Sequence, residues 1–106
     1  MSSEIDPEVQ RLRELLTAND ARIVAAVNTR LDLVAELKRV KVERGLDFLD
    51  PERERWLFEH LGSTNAGPLS ARGLDELIAF LLDLTKREVG PSERSAQSPP
   101  AQSPPA

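Results

Sequence analysis

Between Pro7 and Gly45 the chain contains neither proline nor glycine, and that uninterrupted stretch limits the folds open to it more than any other feature. Apolar residues recur within it at Val9, Leu12, Leu16, Ile23, Val27, Val34 and Leu37, spaced to share one helix face. Asp6-Pro7 is a start signal, because Asp caps a helix and Pro suits its first turn. Gly45 is a natural C-terminal cap. The spacing predicts one helix of nearly forty residues, about 57 Å long at 1.5 Å per residue. A compact domain of this length has a radius of gyration of about 13 Å, so two shorter helices from the same chain cannot cover such a rod. The simplest cover for the rest is a second copy, since two-fold homodimers are the commonest oligomers. The expectation is an all-α fold of three helices, one very long, in an intertwined homodimer.

The other two helices are announced by the same chemistry. Asp50-Pro51-Glu52 repeats the cap-then-proline start, and Leu57, Phe58 and Leu61 supply apolar positions beside Trp56. This helix is expected to stop near Gly62, with Ser63 to Pro68 as a loop. A third helix opens around Ser70, carries Leu74, Leu77, Ile78, Leu81, Leu82 and Thr85, and ends at Gly90-Pro91. No stretch alternates apolar with polar residues as a strand does. The expected organisation is a flexible N-terminus over residues 1–6, one helical domain over 7–90, and a tail over 91–106. The tail repeats Ala-Gln-Ser-Pro-Pro, a composition that cannot bury enough apolar surface to offset chain entropy, so disorder is expected there.

Several function classes are excluded early. The 106 residues carry a net charge of −4, the wrong sign for non-specific nucleic-acid binding, which needs a cationic field. No apolar run approaches the roughly 20 residues needed to cross a bilayer, and Met1 to Asp6 lacks the pattern of a secretory signal; a cytoplasmic location is the default. There is no cysteine, so disulfides and thiolate chemistry are out. His60 is the single histidine and is expected at the surface rather than on a metal. The chain has no glycine-rich phosphate loop and no set of residues for a nucleophile–histidine–acid triad. An enzyme built this way works without metal, cofactor or covalent nucleophile, by holding a substrate's shape and stabilising charge.

Two residues break the apolar ridge of the first helix. Arg30 lies between Val27 and Val34, and Lys41 lies four residues after Leu37. They are eleven residues apart, which at 100° per residue returns almost to the same face. Burying an unpaired cation is very costly, so each has a carboxylate partner, or the ridge lines a pocket for an anion, or both snorkel to solvent along a helical seam. Further cations are at hand in Arg13, Arg53 and Arg55. Arg13 sits about 100° round the helix from Arg30, a placement that suits the pocket of a partner chain. Arg53 can equally be an ordinary surface ion pair, and Asp50 a plain N-cap that also serves a site.

Leu12-Arg13-Glu14, Asp20, Arg30, Lys41 and Asp50-Pro51-Glu52-Arg53-Glu54 resemble, in identity and spacing, the all-helical chorismate mutases. The likeness runs from Val9 to Val89. It implies chorismate as substrate, a dianion rearranged to prephenate in phenylalanine and tyrosine biosynthesis without acid, base or metal. It further implies a homodimer with two identical sites. By the same resemblance Arg13 crosses from the partner subunit and, with Arg30, clamps the carboxylates. Lys41 donates to the ether oxygen and one carboxylate, Glu54 and the backbone near Asp50 hold the ring hydroxyl, and Arg53 completes the positive rim. Thr85 fits the Ser or Thr that the family places on its third helix. Four residues later, where the family has a Gln or Glu facing the ether oxygen, stands Val89, with Glu88 one residue early. A functional Glu88 must be protonated to donate, so activity would rise toward acidic pH. Loss of one such donor costs about 10²- to 10³-fold in rate, so a weak mutase that depends on a partner protein is expected. Alternatives are an isochorismate-pyruvate lyase or aminodeoxychorismate mutase on the same fold, or a non-enzymatic helical dimerisation module whose Arg30 and Lys41 set register.

Overall fold

The computed structural model describes residues 6–90; the N-terminal segment named above, apart from Asp6, and the Pro/Ser-rich tail lie outside them. Three helices follow in order, α1 (Pro7–Glu43), α2 (Pro51–Thr64) and α3 (Ala71–Val89), and the described residues contain no strand. The chain divides into two units, Met1–Leu33 and Val34–Ala106.

The described part of the first unit is the N-terminal portion of α1. Asp6 caps it, its side chain accepting from the backbone N–H of Glu8 at 2.7 Å and of Val9 at 3.4 Å. Those amides have no carbonyl partner within the helix, so the carboxylate satisfies them and complements the positive helix end. Side chains along the first turns support the helix locally, with Arg11 on Glu8 at 2.9 Å and Gln10 on Glu14 at 3.1 Å. No residue of α1 is buried. Leu12, Leu16 and Ile23, the heart of the predicted ridge, are exposed; Leu16 keeps 61% of its surface. Residues this apolar in a soluble helix ordinarily face something.

The second unit has a core of its own. Helix α1 ends as the sequence predicts: Gly45 takes φ +68, its N–H bonds the carbonyl of Val42 at 3.2 Å, and that of Leu46 bonds Lys41 at 2.8 Å. This pair of bonds closes the last turn and needs a left-handed residue. Helix α2 is capped by Asp50, whose carboxylate accepts from Arg53 N–H at 3.1 Å. Helix α3 is capped by Ser70, whose hydroxyl accepts from Gly73 N–H at 2.9 Å. Helix α2 packs on α3. Ile78, Leu74 and Thr85 are buried, with Leu57, Phe58 and Leu61 of α2 and Leu81, Leu82 and Leu84 of α3 half-buried around them. Leu77, expected on the same apolar face, is 48% exposed.

Helix α2 runs two residues past Gly62. The hydroxyls of Ser63 and Thr64 donate back to the carbonyls of His60 and Leu61, at 2.7 and 2.9 Å, satisfying groups that would otherwise end the helix at the glycine. Asn65 then stops it and organises the connection. Its amide donates to Leu69 O at 2.8 Å and its carbonyl accepts from Gly67 N–H at 2.9 Å.

Candidate active site

The sequence-predicted residues fall in both units. In the first, Arg13 is exposed and Arg30 half-buried on α1; Arg13 borders a shallow cavity with Gln10, Glu14, Thr17 and Ala18. In the second, Lys41, Asp50, Arg53, Glu54, Thr85 and Glu88 are carried by the end of α1, by α2 and by α3.

The last two turns of α1 position the second unit's chemistry. Lys41 is half-buried, and its ammonium donates to the carbonyl of Phe48 at 3.3 Å. Lys38, one turn earlier, donates to Gly90 O at 3.1 Å and lies over the Phe48 ring, 5.7 Å from its centroid. A cation at that carbonyl complements the negative end of α3, and the ring adds a cation–π attraction. The loop from Arg44 to Asp50 and the end of α3 are thereby tied to the same stretch of α1. Between them lies a cavity of about 580 Å³ lined by Asp47, Phe48, Leu49, Lys86 and Gly90, within the usual size for a small-molecule site.

Helix α2 adds a carboxylate and a guanidinium. Glu54 is half-buried and forms an ion pair with Lys86 of α3 at 3.3 Å. Arg53 lies over the Trp56 ring, 4.3 Å from its centroid. Trp56 in turn stacks on His60 at 4.5 Å, with the two rings 9° from parallel, and His60 is exposed as expected. Asp50 spends one carboxylate oxygen on the helix cap.

On α3, Thr85 is buried and its hydroxyl donates to Leu81 O at 2.7 Å. The helix continues through Val89 without a break. Val89 is half-buried and borders a second cavity with Ala35, Lys38, Arg39, Val42 and Glu43, whereas Glu88 is exposed.

The structure thus brings together Glu54 with Lys86, Lys41 with Phe48, and Lys38 with Gly90. Lys38, Phe48 and Lys86 were not among the residues singled out from the sequence. Two of them carried a signal: Lys38 lies one turn before Lys41, and Lys86 directly follows Thr85.

An all-helical chain with a cation cluster beside a small-molecule cavity fits enzymes that recognise a small anion, and comparison with known families narrows that class. The profile of the family described as chorismate mutase type II matches residues 12–89. The chain belongs to that family and is an isomerase of the chorismate mutase type. Two solved structures of chorismate mutase from Thermus thermophilus are similar to it. Form I superposes with a TM-score of 0.71 at 27% identity, covering 74% of this chain and 98% of that one. Form II gives 0.73 at 26% identity, covering 77% and 93%. No curated protein sequence matches the chain. Among the described residues no helix is long and apolar enough to cross a membrane.

Proposed function

We propose that the protein converts chorismate to prephenate in cytoplasmic phenylalanine and tyrosine biosynthesis, as a homodimer with two identical sites. One observation carries this reading: the family match runs over residues 12–89, the stretch that contains Arg13, Arg30, Lys41, Asp50, Arg53, Glu54 and Thr85.

The reaction is an intramolecular rearrangement in which the ether C–O bond breaks as a new C–C bond forms. No proton needs to move and no covalent intermediate is formed. Two effects remain for the protein to supply: selection of the compact conformer that brings the reacting carbons together, and stabilisation of negative charge growing on the ether oxygen. Arg30 and the partner's Arg13 grip the two carboxylates; a guanidinium suits this because its planar fork bonds a carboxylate through two parallel hydrogen bonds. The Lys41 ammonium turns from the Phe48 carbonyl to the ether oxygen. Glu54 and the backbone near Asp50 receive the ring hydroxyl, Arg53 extends the positive rim, and Thr85 lines the α3 wall. Charge placed where the transition state needs it raises kcat rather than merely tightening substrate binding.

Glu88 completes the set as a protonated donor to the ether oxygen. From its exposed place it acts only if the last turn of α3 rotates, and kcat then rises as pH falls. A flat acid limb, unchanged in Glu88→Gln, identifies instead a site in which Val89 leaves that position without a donor. Such a site is slow, and a partner protein that raises its rate completes the proposal.

The deciding experiment is incubation of the pure protein with chorismate while its ultraviolet absorbance is followed. Loss of absorbance with prephenate as product supports the reading. Pyruvate with a hydroxybenzoate means a lyase on the same fold, and persistent absorbance means a helical module without this activity.

A further inference from the structure

We infer that Lys86 is a positioning residue of the site: paired with Glu54 across the α2–α3 contact, it fixes the carboxylate that receives the substrate's ring hydroxyl. The inference rests on the reading of Glu54 given above and extends it to a residue that this reading leaves without a role.

Pairs such as Arg11–Glu8 and Arg39–Glu43 link neighbours three or four residues apart on one helix. Glu54 and Lys86 instead join two helices, at 3.3 Å, with 32% and 48% of their side-chain surface exposed. Exposure of that order makes the pair a minor contributor to stability. Its place gives it a different use, because Lys86 also lines the cavity beside Phe48 and Leu49. A glutamate side chain left alone samples many rotamers. Here Oε2 is held by the ammonium, and Oε1 retains lone pairs for a second donor. A hydroxyl arriving at the cavity edge therefore meets an acceptor already in place, and less rotamer freedom is lost on binding. The same arrangement keeps the carboxylate's charge balanced beside a dianionic substrate, which an unpaired glutamate would repel.

The test uses the full chain and the variants Lys86→Met and Lys86→Arg. Circular dichroism and thermal midpoints should match the wild type. For chorismate, Lys86→Met should raise KM about tenfold with kcat little changed, the size of effect that accompanies loss of one charge-assisted hydrogen bond, and Lys86→Arg should restore most of it. Calorimetry then separates positioning from direct contact. A bicyclic transition-state mimic carrying the hydroxyl should bind Lys86→Met about tenfold more weakly, whereas its counterpart lacking the hydroxyl should bind both proteins within about twofold. Equal weakening of both mimics means that Lys86 touches the carboxylates itself and overturns the inference, as does indifference of KM to Lys86→Met. A wild type inert toward chorismate overturns the parent reading and takes this one with it.

Discussion

The two units of the chain are capped alike and finished differently. Residues 6–33 have a good cap, an i to i+3 ion pair and an apolar ridge, yet bury nothing. Residues 34–90 have equally good caps but also a core, with Ile78 only 1% exposed, and three lysines bonded to groups outside their own helix. A short ridge of this kind is not stable for its own sake. Helices draw most of their stability in proteins from packing an apolar face, and among the described residues no member of this ridge is buried. The contrast teaches that the second unit is organised by its own residues, while the first carries Arg13, exposed, and Arg30, half-buried, on a helix with no buried residue.

The largest effect that would break this division of labour is catalytic. Arg30→Ala and Lys41→Ala alter one unit each, and both should lower kcat/KM by at least about 10²- to 10³-fold, since each removes a charge-assisted contact to a dianion. Size-exclusion elution and helicity should be unchanged. A large loss from one variant and none from the other would confine the chemistry to a single unit.

Stability gives the next contrast. Ile78→Ala removes a buried side chain and should cost about 2–5 kcal/mol in denaturant unfolding. In an isolated chain, Ile23→Ala removes an exposed one and should cost within about 0.5 kcal/mol. If a second copy covers the ridge, Ile23→Ala should instead cost more than about 1 kcal/mol and make the midpoint depend on protein concentration. An Ile23→Ala midpoint that is unshifted at every concentration would leave the ridge uncovered and remove the basis for a dimer.

Complementation sharpens the same point. Arg13→Ala and Arg30→Ala chains mixed under exchange conditions form heterodimers with one intact site each, if Arg13 serves the partner's pocket. Random pairing of two-fold dimers then returns roughly a quarter of wild-type activity. No recovery would place Arg13 in its own chain's site or outside any site.

How much of this was legible beforehand follows from the range of each interaction. Asp6, Asp50, Ser70, Gly45 and Gly90 could be assigned as caps because a cap joins residues two to five apart, and sequence displays such neighbours directly. Gly62 misled for a related reason: as a helix breaker it was read alone, whereas the hydroxyls of Ser63 and Thr64, just beyond it, carry the helix on. The family was legible in the spacing of these residues, but the contacts within the candidate site were not. Lys86 meets Glu54 only after α2 and α3 pack, and Lys38 reaches Gly90 from 52 positions away. Periodicity says which face a residue occupies and nothing about which partner that face meets. Glu88 and Val89 show the limit most plainly: one step along a helix exchanges an exposed carboxylate for a half-buried methyl pair.

The smallest expected effect comes from the second unit's surface. Arg39 bonds both Glu36 and Glu43, the latter at 2.6 Å. Its hydrogen bond to Glu36, and after that its charge, hold the Glu36 carboxyl below the ordinary glutamate range, while Glu36 raises the Arg39 guanidinium. A carboxyl whose folded value is depressed contributes stability above its unfolded value and loses it as pH falls through the folded one. Arg39→Ala should therefore lower the thermal midpoint slightly at neutral pH and by less as pH falls and Glu36 is protonated, and its effect at neutral pH should fade in high salt because all three side chains are solvated. Turnover should be untouched, in contrast to Lys41→Ala two residues away. A loss of activity in Arg39→Ala would show that the cavity beside Val89, which Arg39 borders, belongs to the working site.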